Sequence, residues 1–348
     1  MWQHEITQRI PLLDEKGNLT EAGWARRLLP VYNRNDVKAS RLRLKEWDYY
    51  LVANDRFALA LTVADNGYMG LDSISFLHFE DDWQITKSPM RVMPMGKTAM
   101  PSTSERGDVA VSGKGYGMTF LHQTEPTGEK TRHLVFSMED FKDGHPIRGS
   151  IMLSEEPRES IVMCTPFDKP GHFYYNQKIN CMRASGTVTI GEERYTFSPE
   201  GSFGVLDWGR GVWTYSNTWY WGSASGLVNG VPFGFNIGYG FGSASAASEN
   251  ALFYNGRTHK LSHVKFNIPG TNGRERFMEP WTFTSDDGRF EMAFAPIMDR
   301  ASCTDFKLLK SDQHQVFGRF TGTAILDDGT PIHLEDFLGF AEKVVNKW

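Results

Sequence analysis

FALALTVADNG, residues 57–67, sets Phe57, Leu59, Leu61 and Val63 at every second position and then breaks into Ala-Asp-Asn-Gly. Successive side chains leave a strand on opposite faces, so this alternation marks a half-buried β-strand. The Asn-Gly that follows suits a hairpin, because both residues accept the left-handed backbone of a tight turn. The same unit recurs as Leu134, Phe136 and Met138, and again as Val264, Phe266 and Ile268. Turn signals sit between such runs: TGEK (127–130), KDG (142–144), SDDG (285–288) and LDDG (326–329). GTVTIGEERYTF (186–197) and GTAILDDGTPIHL (322–334) echo each other, as hairpins of one type used more than once. The chain reads as an antiparallel all-β protein, and its evenly spaced strands fit closed or nearly closed barrels, which leave few strand edges exposed.

Helix signals are few, and one closing helix is expected. Thr20 can cap a short turn through EAGWARRLL (21–29). HLEDFLGFAEKVVNKW (333–348) places Leu334, Phe337, Leu338, Ala341, Val344, Val345 and Trp348 at helical spacing, which predicts a short C-terminal helix packed across the outside of a sheet. A chain of 348 residues is long for one core and comfortable for two. The boundary falls near 180, where the irregular TPFDKPGHFYYNQ (165–177) leads into a new strand set. This gives an N-terminal barrel over 1–180 and a C-terminal barrel over 181–348.

Bulk properties narrow the function. A net charge of −5 with no Lys/Arg block excludes a phosphate-neutralising surface, and with it nucleic acid as the main partner. No apolar run approaches the roughly 18 residues of a membrane span, and MWQHEITQRIPLLDEKG carries scattered charges in place of a leader's apolar segment. Cys164, Cys181 and Cys303 are odd in number and widely spaced, which makes neither a disulfide framework nor a zinc site. A reduced, cytoplasmic setting is expected, with a small molecule as partner, no membrane span, and the oligomeric state left open. No metal and no other cofactor is expected. His259 and His263 have HxxxH spacing but flank a strand or turn, and the glycines of GYGFG (238–242) precede no helix of a dinucleotide-binding unit.

LDWGRGVWTYSNTWYWGSASG (206–226) concentrates Trp208, Trp213, Trp219 and Trp221 with Tyr215, Asp207 and Arg210. A carboxyl among indoles loses hydration and holds its proton more tightly, as a general acid at neutral pH must, and indole faces stabilise a developing cation. Asp207 is therefore the candidate general acid, set in a constrained Asp-Trp-Gly turn at a strand's entrance. Alternation puts Trp219 and Trp221 on one face and Tyr220 on the other; Trp213 and Tyr215 share a face if 211–215 is extended. Such a stripe lines a barrel lumen or fills a core. In the plainer alternative, Asp207 caps a turn or pairs with Arg210 while the tryptophans are core.

In YYNQKINCM (174–182), Tyr174, Asn176, Lys178 and Asn180 share one face, which reads either as an exposed polar surface or as the polar end of a pocket. Lys178 there suits an anion partner or a proton relay. Glu249 is the nominee for a second carboxyl, with a surface acid as the alternative and Asp65 a weaker choice; Asn236 and Asn250 join Trp208 and Arg210 as expected substrate contacts. Three functions stay in view. The first is a cofactor-independent hydratase, dehydratase, isomerase or cyclase working through Asp207. The second is a non-catalytic binder of a hydrophobic metabolite, and the third a carbohydrate hydrolase or lyase using Asp207 with Glu249.

Over nearly its whole length the chain resembles the bacterial family called domain of unknown function 2804, through NQKINCM (176–182), LDWGRGVW (206–213), ENALFYNGRTHKL (249–261), VFGRFTG (316–322) and GFAEKV (339–344). About 60 residues around 180–240 are also similar to the carotenoid 1,2-hydratase-like proteins, with their Gly-Thr hairpin, an Asp beside Trp-Gly and a Trp-rich strand. The resemblance implies two tandem lipocalin-like (calycin) β-barrels. In the hydratase group the motif's Asp is held to protonate an alkene, a role that lands on Asp207. This chain departs from the pattern in spacing, with Asp207-Trp208-Gly209 in place of Asp-x-x-Trp-Gly, and it lacks the flanking histidine.

Overall fold

The computed structural model of the chain describes residues 3–271, 274–306 and 309–347. Among these, strands dominate, and a 3-10 turn at Arg34–Asp36 is the only helical segment. The strands form two large antiparallel sheets of fourteen and nine strands. Four central strands of the first sheet are β1 (Lys45–Ala53), β2 (Phe57–Asp65), β3 (Phe173–Ile190) and β4 (Phe203–Val212), side by side in the order β2-β1-β4-β3. In the second sheet β5 (Ser216–Val228), β6 (Val231–Tyr239), β7 (Leu309–Ile325) and β8 (Pro331–Lys347) run β6-β5-β8-β7.

Each sheet curls round its own apolar core. Leu59, Leu61 and Val63 of β2 meet Leu206 and Trp208 of β4, Phe120 and Ile151 inside the first. Phe233, Phe235, Phe290, Phe320 and Ala341 fill the second. The end strands of each sheet do not hydrogen-bond to each other, so the result is two open, lipocalin-like barrels. Their outer faces meet in a third apolar cluster, where Tyr49, Leu51, Ala58 and Ala60 lie against Trp221, Met298, Phe317 and Phe340. This double packing explains why every residue of β4 is buried: one face closes a barrel and the other meets its neighbour.

Three expectations are corrected. No helix follows Thr20; Gly23–Ala25 is instead a strand paired with Ile161–Pro166, and Trp24 N–H donates to the His4 carbonyl. Nor is there a C-terminal helix: Pro331–Lys347 is a strand at the heart of the second sheet, between β5 and β7. Trp348, counted in that helix, lies outside the described residues. The boundary near 180 cuts β3 in mid-strand, and residues up to Val212 stay in the first sheet, so the change of sheet falls at Trp213–Tyr215. Of the irregular stretch only residues 167–172 form a loop, and its two ends belong to the paired strands Ile161–Pro166 and β3. At 180 itself there is a bulge, marked by the register shift between Ile179 and Met182 and by Cys181 at φ 63°.

Candidate active site

Asp207 lies in the middle of β4, not in a turn, with Leu206 and Trp208 pointing into the first barrel and its own side chain towards the second sheet. Its cross-strand neighbours are Lys178 and Tyr49. Lys178 Nζ stands 3.0 Å from Oδ2, and Asn176 Nδ2 donates to Oδ1 at 2.6 Å and to the Trp208 carbonyl at 2.7 Å. Tyr174, Asn176, Lys178 and Asn180 share the outer face of β3, which is buried against the second sheet and not exposed to water. Trp221 closes the arrangement from that sheet, its ring centroid 3.8 Å from Lys178 Nζ. Trp221 Nε1 donates to Asn236 Oδ1 at 2.7 Å, and Asn236 Nδ2 donates to the Glu249 carbonyl at 2.8 Å. The Glu249 carboxylate fits over Gly238, where a β-carbon would come within 2.7 Å of Oε1.

An aromatic wall rises beside these groups. Trp47 stacks on Tyr174 at 6.0 Å and meets Trp213 edge-on at 5.4 Å. Phe241 touches Tyr174 at 4.8 Å, Trp213 at 5.2 Å and Trp219 at 5.3 Å. The sequence reading missed Phe241, because GYGFG was weighed there only as a dinucleotide-binding loop. The signal was there: Gly240 and Gly242 both take positive φ and thrust the ring between them onto the wall.

A second missed residue is Glu342 of β8, directly across from Trp221. Trp219 Nε1 donates to its Oε1 at 3.0 Å and Gln315 Nε2 to its Oε2 at 3.1 Å. Burial pushes the Glu342 carboxyl up to about 7; the Trp219 bond and the charges of Lys178 and Arg300 pull the other way, and Asp207 adds to the rise. Burial also raises Glu249, opposed by Lys178 and reinforced by Asp207. Tyr174 is held well above 10 by burial and then by Asp207, Glu249 and Glu342, so the site gathers several acidic groups around one lysine.

Other candidates lie elsewhere. Trp208 is in the first core, and Arg210 shares it, with its guanidinium 4.2 Å from the Trp208 ring and 3.1 Å from Asp48. Arg210 therefore pairs with Asp48 and not with Asp207. Residues 213–215 are not extended; Tyr215 sits in the connection and is 45 % exposed. Asn180 Nδ2 reaches Ser223 Oγ and the carbonyls of Ala224 and Phe235, which ties the sheets together. Asn250 accepts from Gly238 N–H and donates to the Ser262 carbonyl, fixing the loop that carries Glu249. Asp65 accepts from Gly67, Gly96 and Thr98 and shapes its own hairpin. Hollows of about 800 and 530 Å3 open on the first barrel, near Ser137 and near Glu156, and neither is lined by Asp207 or the aromatic wall.

Residues 3–348 match the profile of the family described as domain of unknown function (DUF2804). The chain belongs to the DUF2804 family. No curated protein matches this DUF2804 chain. In fold it is similar to kievitone hydratase from Nectria haematococca, with a TM-score of 0.50 at 10 % identity, covering 96 % of the DUF2804 chain and 98 % of the hydratase. A provisionally assigned AttH from Nitrosomonas europaea gives a TM-score of 0.53 at 13 % identity, covering 97 % and 99 % of the two chains. CghA, crystallised with Sch210972, gives 0.52 at 12 % identity, covering 96 % and 97 %. At these identities the likeness is one of fold, and it extends over both barrels of the DUF2804 chain.

Proposed function

We propose that the chain is a cofactor-independent acid/base enzyme of the hydratase, dehydratase, isomerase or cyclase kind. Its substrate is an apolar or ring-shaped small molecule held at the junction of the two barrels, and Asp207 exchanges the proton. The observation that carries this reading is the meeting of Asp207, Lys178 and Asn176 from one sheet with Trp221 from the other and Glu249 from the loop that follows β6, beside a wall of Trp47, Trp213, Trp219 and Phe241. Carboxyls in an enclosed site move protons effectively, and indole faces favour the positive charge that protonation creates. The sequence casts Asp207 as the general acid. Ion-paired with Lys178 at Oδ2 and accepting from Asn176 at Oδ1, it enters the cycle as proton acceptor and acts as acid in the reverse step. The similar folds include a protein named as a hydratase and one crystallised with a small molecule, which supports the class of reaction.

Native mass spectrometry of the purified chain, searching for a co-purified small molecule, selects the substrate panel. The panel includes glycosides, because Glu249 and Asp207 both feel the charge of Lys178. Asp207→Asn is expected to lower turnover by roughly 10²–10⁴-fold with the circular dichroism unchanged. Full activity in that variant would end the role given to Asp207. The closed aromatic wall also suits a non-catalytic binder, for which Asp207→Asn would leave ligand affinity intact and no turnover would be found in either form.

A further inference from the structure

Asp207 is ion-paired with Lys178 through Oδ2 and accepts from Asn176 at Oδ1, so with a cation beside it this carboxylate is set to receive a proton, and a transfer across a substrate then needs a separate donor. Glu342 has the contacts of one. It sits on the same side of the second sheet as Trp219 and Trp221 and is cross-strand from Trp221, whose ring carries Asp207's partner Lys178. Its own hydrogen-bond partners are both uncharged, the Trp219 indole and the Gln315 amide, and among the described residues no Lys or Arg lies within 4.0 Å of its carboxylate. Trp219 thus bonds Glu342 itself, while Trp221 carries the lysine that is paired with Asp207.

Resting on the acid/base reading above, we propose that Glu342 is the proton donor of the junction site and Asp207 the acceptor, acting on one substrate held between the sheets. The Glu342 O–H bond breaks and its proton goes to a substrate carbon or heteroatom. A substrate C–H bond, or the O–H bond of an adding water, breaks and its proton passes to an Asp207 oxygen. The summed charge of the two carboxyls is unchanged and no electron is gained or lost; Asp207 then releases its proton to water through the 12 % of its side chain in contact with solvent, and Glu342 takes one proton from water, which restores both groups.

The ionisable groups that bear on Glu342 are Lys178 of β3, Asp207 of β4, Tyr49 of β1, Tyr174 of β3 and Arg300 of Phe290–Phe306. The two cations act through space without an ion pair to Glu342, which is consistent with a carboxyl that still holds its proton near neutrality.

Trp219 reports the state of Glu342 directly, because its indole N–H donates to Oε1. Tryptophan emission of the intact chain is expected to titrate with a midpoint close to neutrality, to lose that step in Glu342→Gln and in Trp219→Phe, and to keep it in Asp207→Asn. A neutral-range step that survives Glu342→Gln overturns the proposal. With a substrate in hand, Glu342→Gln removes the limb of the rate–pH profile that falls above neutrality, and Glu342→Asp restores part of it. Asp207→Asn lowers the rate across the whole profile. If Asp207→Asn is inactive and Glu342→Gln keeps its alkaline limb, the donor is wrong and the acid/base reading stands; full activity in both variants defeats that reading as well.

Discussion

A β-carbon added at Gly209 would lie 2.0 Å from Cζ2 of Trp47, so the face that carries Asp207 has no side chain two residues further on. That empty place seats the Trp47 indole against Tyr174. Gly209→Ala is expected to cost about 1–3 kcal/mol, the usual penalty of overpacking, and to alter the near-ultraviolet circular dichroism of the aromatic wall. A urea midpoint equal to that of the parent would show that the indole yields freely. Glu342 gives a second prediction, in stability against pH. Its folded value is raised from 4.5 to about 7, so between these the native state keeps a proton that the unfolded chain has released. Unfolding free energy from this group therefore falls as pH rises through that window, by at most about 3 kcal/mol. Glu342→Gln should flatten that fall when urea midpoints are compared from pH 5 to 8, and parallel slopes in the two proteins would refute it.

At the scale of elements, β8 shows what could be read and what could not. Leu334, Phe337, Leu338, Ala341 and Val344 recur every three or four residues, which is the spacing of a helix. The strand produces that spacing in two ways. A bulge at Glu335–Asp336 lets two residues oppose Thr321, so inward positions pass from Ile332 and Leu334 to Phe337 and Ala341. Beyond it Gly339, Phe340, Ala341 and Glu342 are all buried, because one face meets the barrel core and the other the neighbouring sheet. Read as a helix, the segment turns Glu342 to solvent; read as a strand, it turns Glu342 to Trp219. Asp336 holds the bulge with φ 51° and its N–H bonded to Thr321 Oγ1. Asp336→Gly is expected to be tolerated, while Asp336→Val should cost roughly 1–2 kcal/mol by placing a branched side chain in the left-handed region. Equal thermal midpoints for the two variants would contradict this. Elsewhere alternation was a sound guide: it put Tyr174, Asn176, Lys178 and Asn180 on one face, and Trp219 apart from Tyr220. What alternation cannot tell is what a face looks at, since that depends on strands far away in the chain. The stripe was expected to face a lumen or its own core, and it faces the other barrel.

For the molecule as a whole, the apolar junction of Tyr49, Leu51 and Ala60 with Trp221, Phe317 and Phe340 makes the two barrels depend on each other. Unfolding followed by tryptophan emission and by far-ultraviolet circular dichroism is expected to give coincident transitions. Phe317→Asp, which buries a charge at the seam, should cost several kcal/mol and separate the two curves. Coincident curves in that variant would mean that the barrels are coupled by something other than this seam. The acids and the indoles stand on the convex outsides of the barrels, in the space between two shells. The shape of that space is set by how the shells lean on one another, as a wedge's opening is set by its hinge. If the proposed substrate is held there, a methyl group gained or lost deep inside either barrel is expected to change its fit from positions that never touch it.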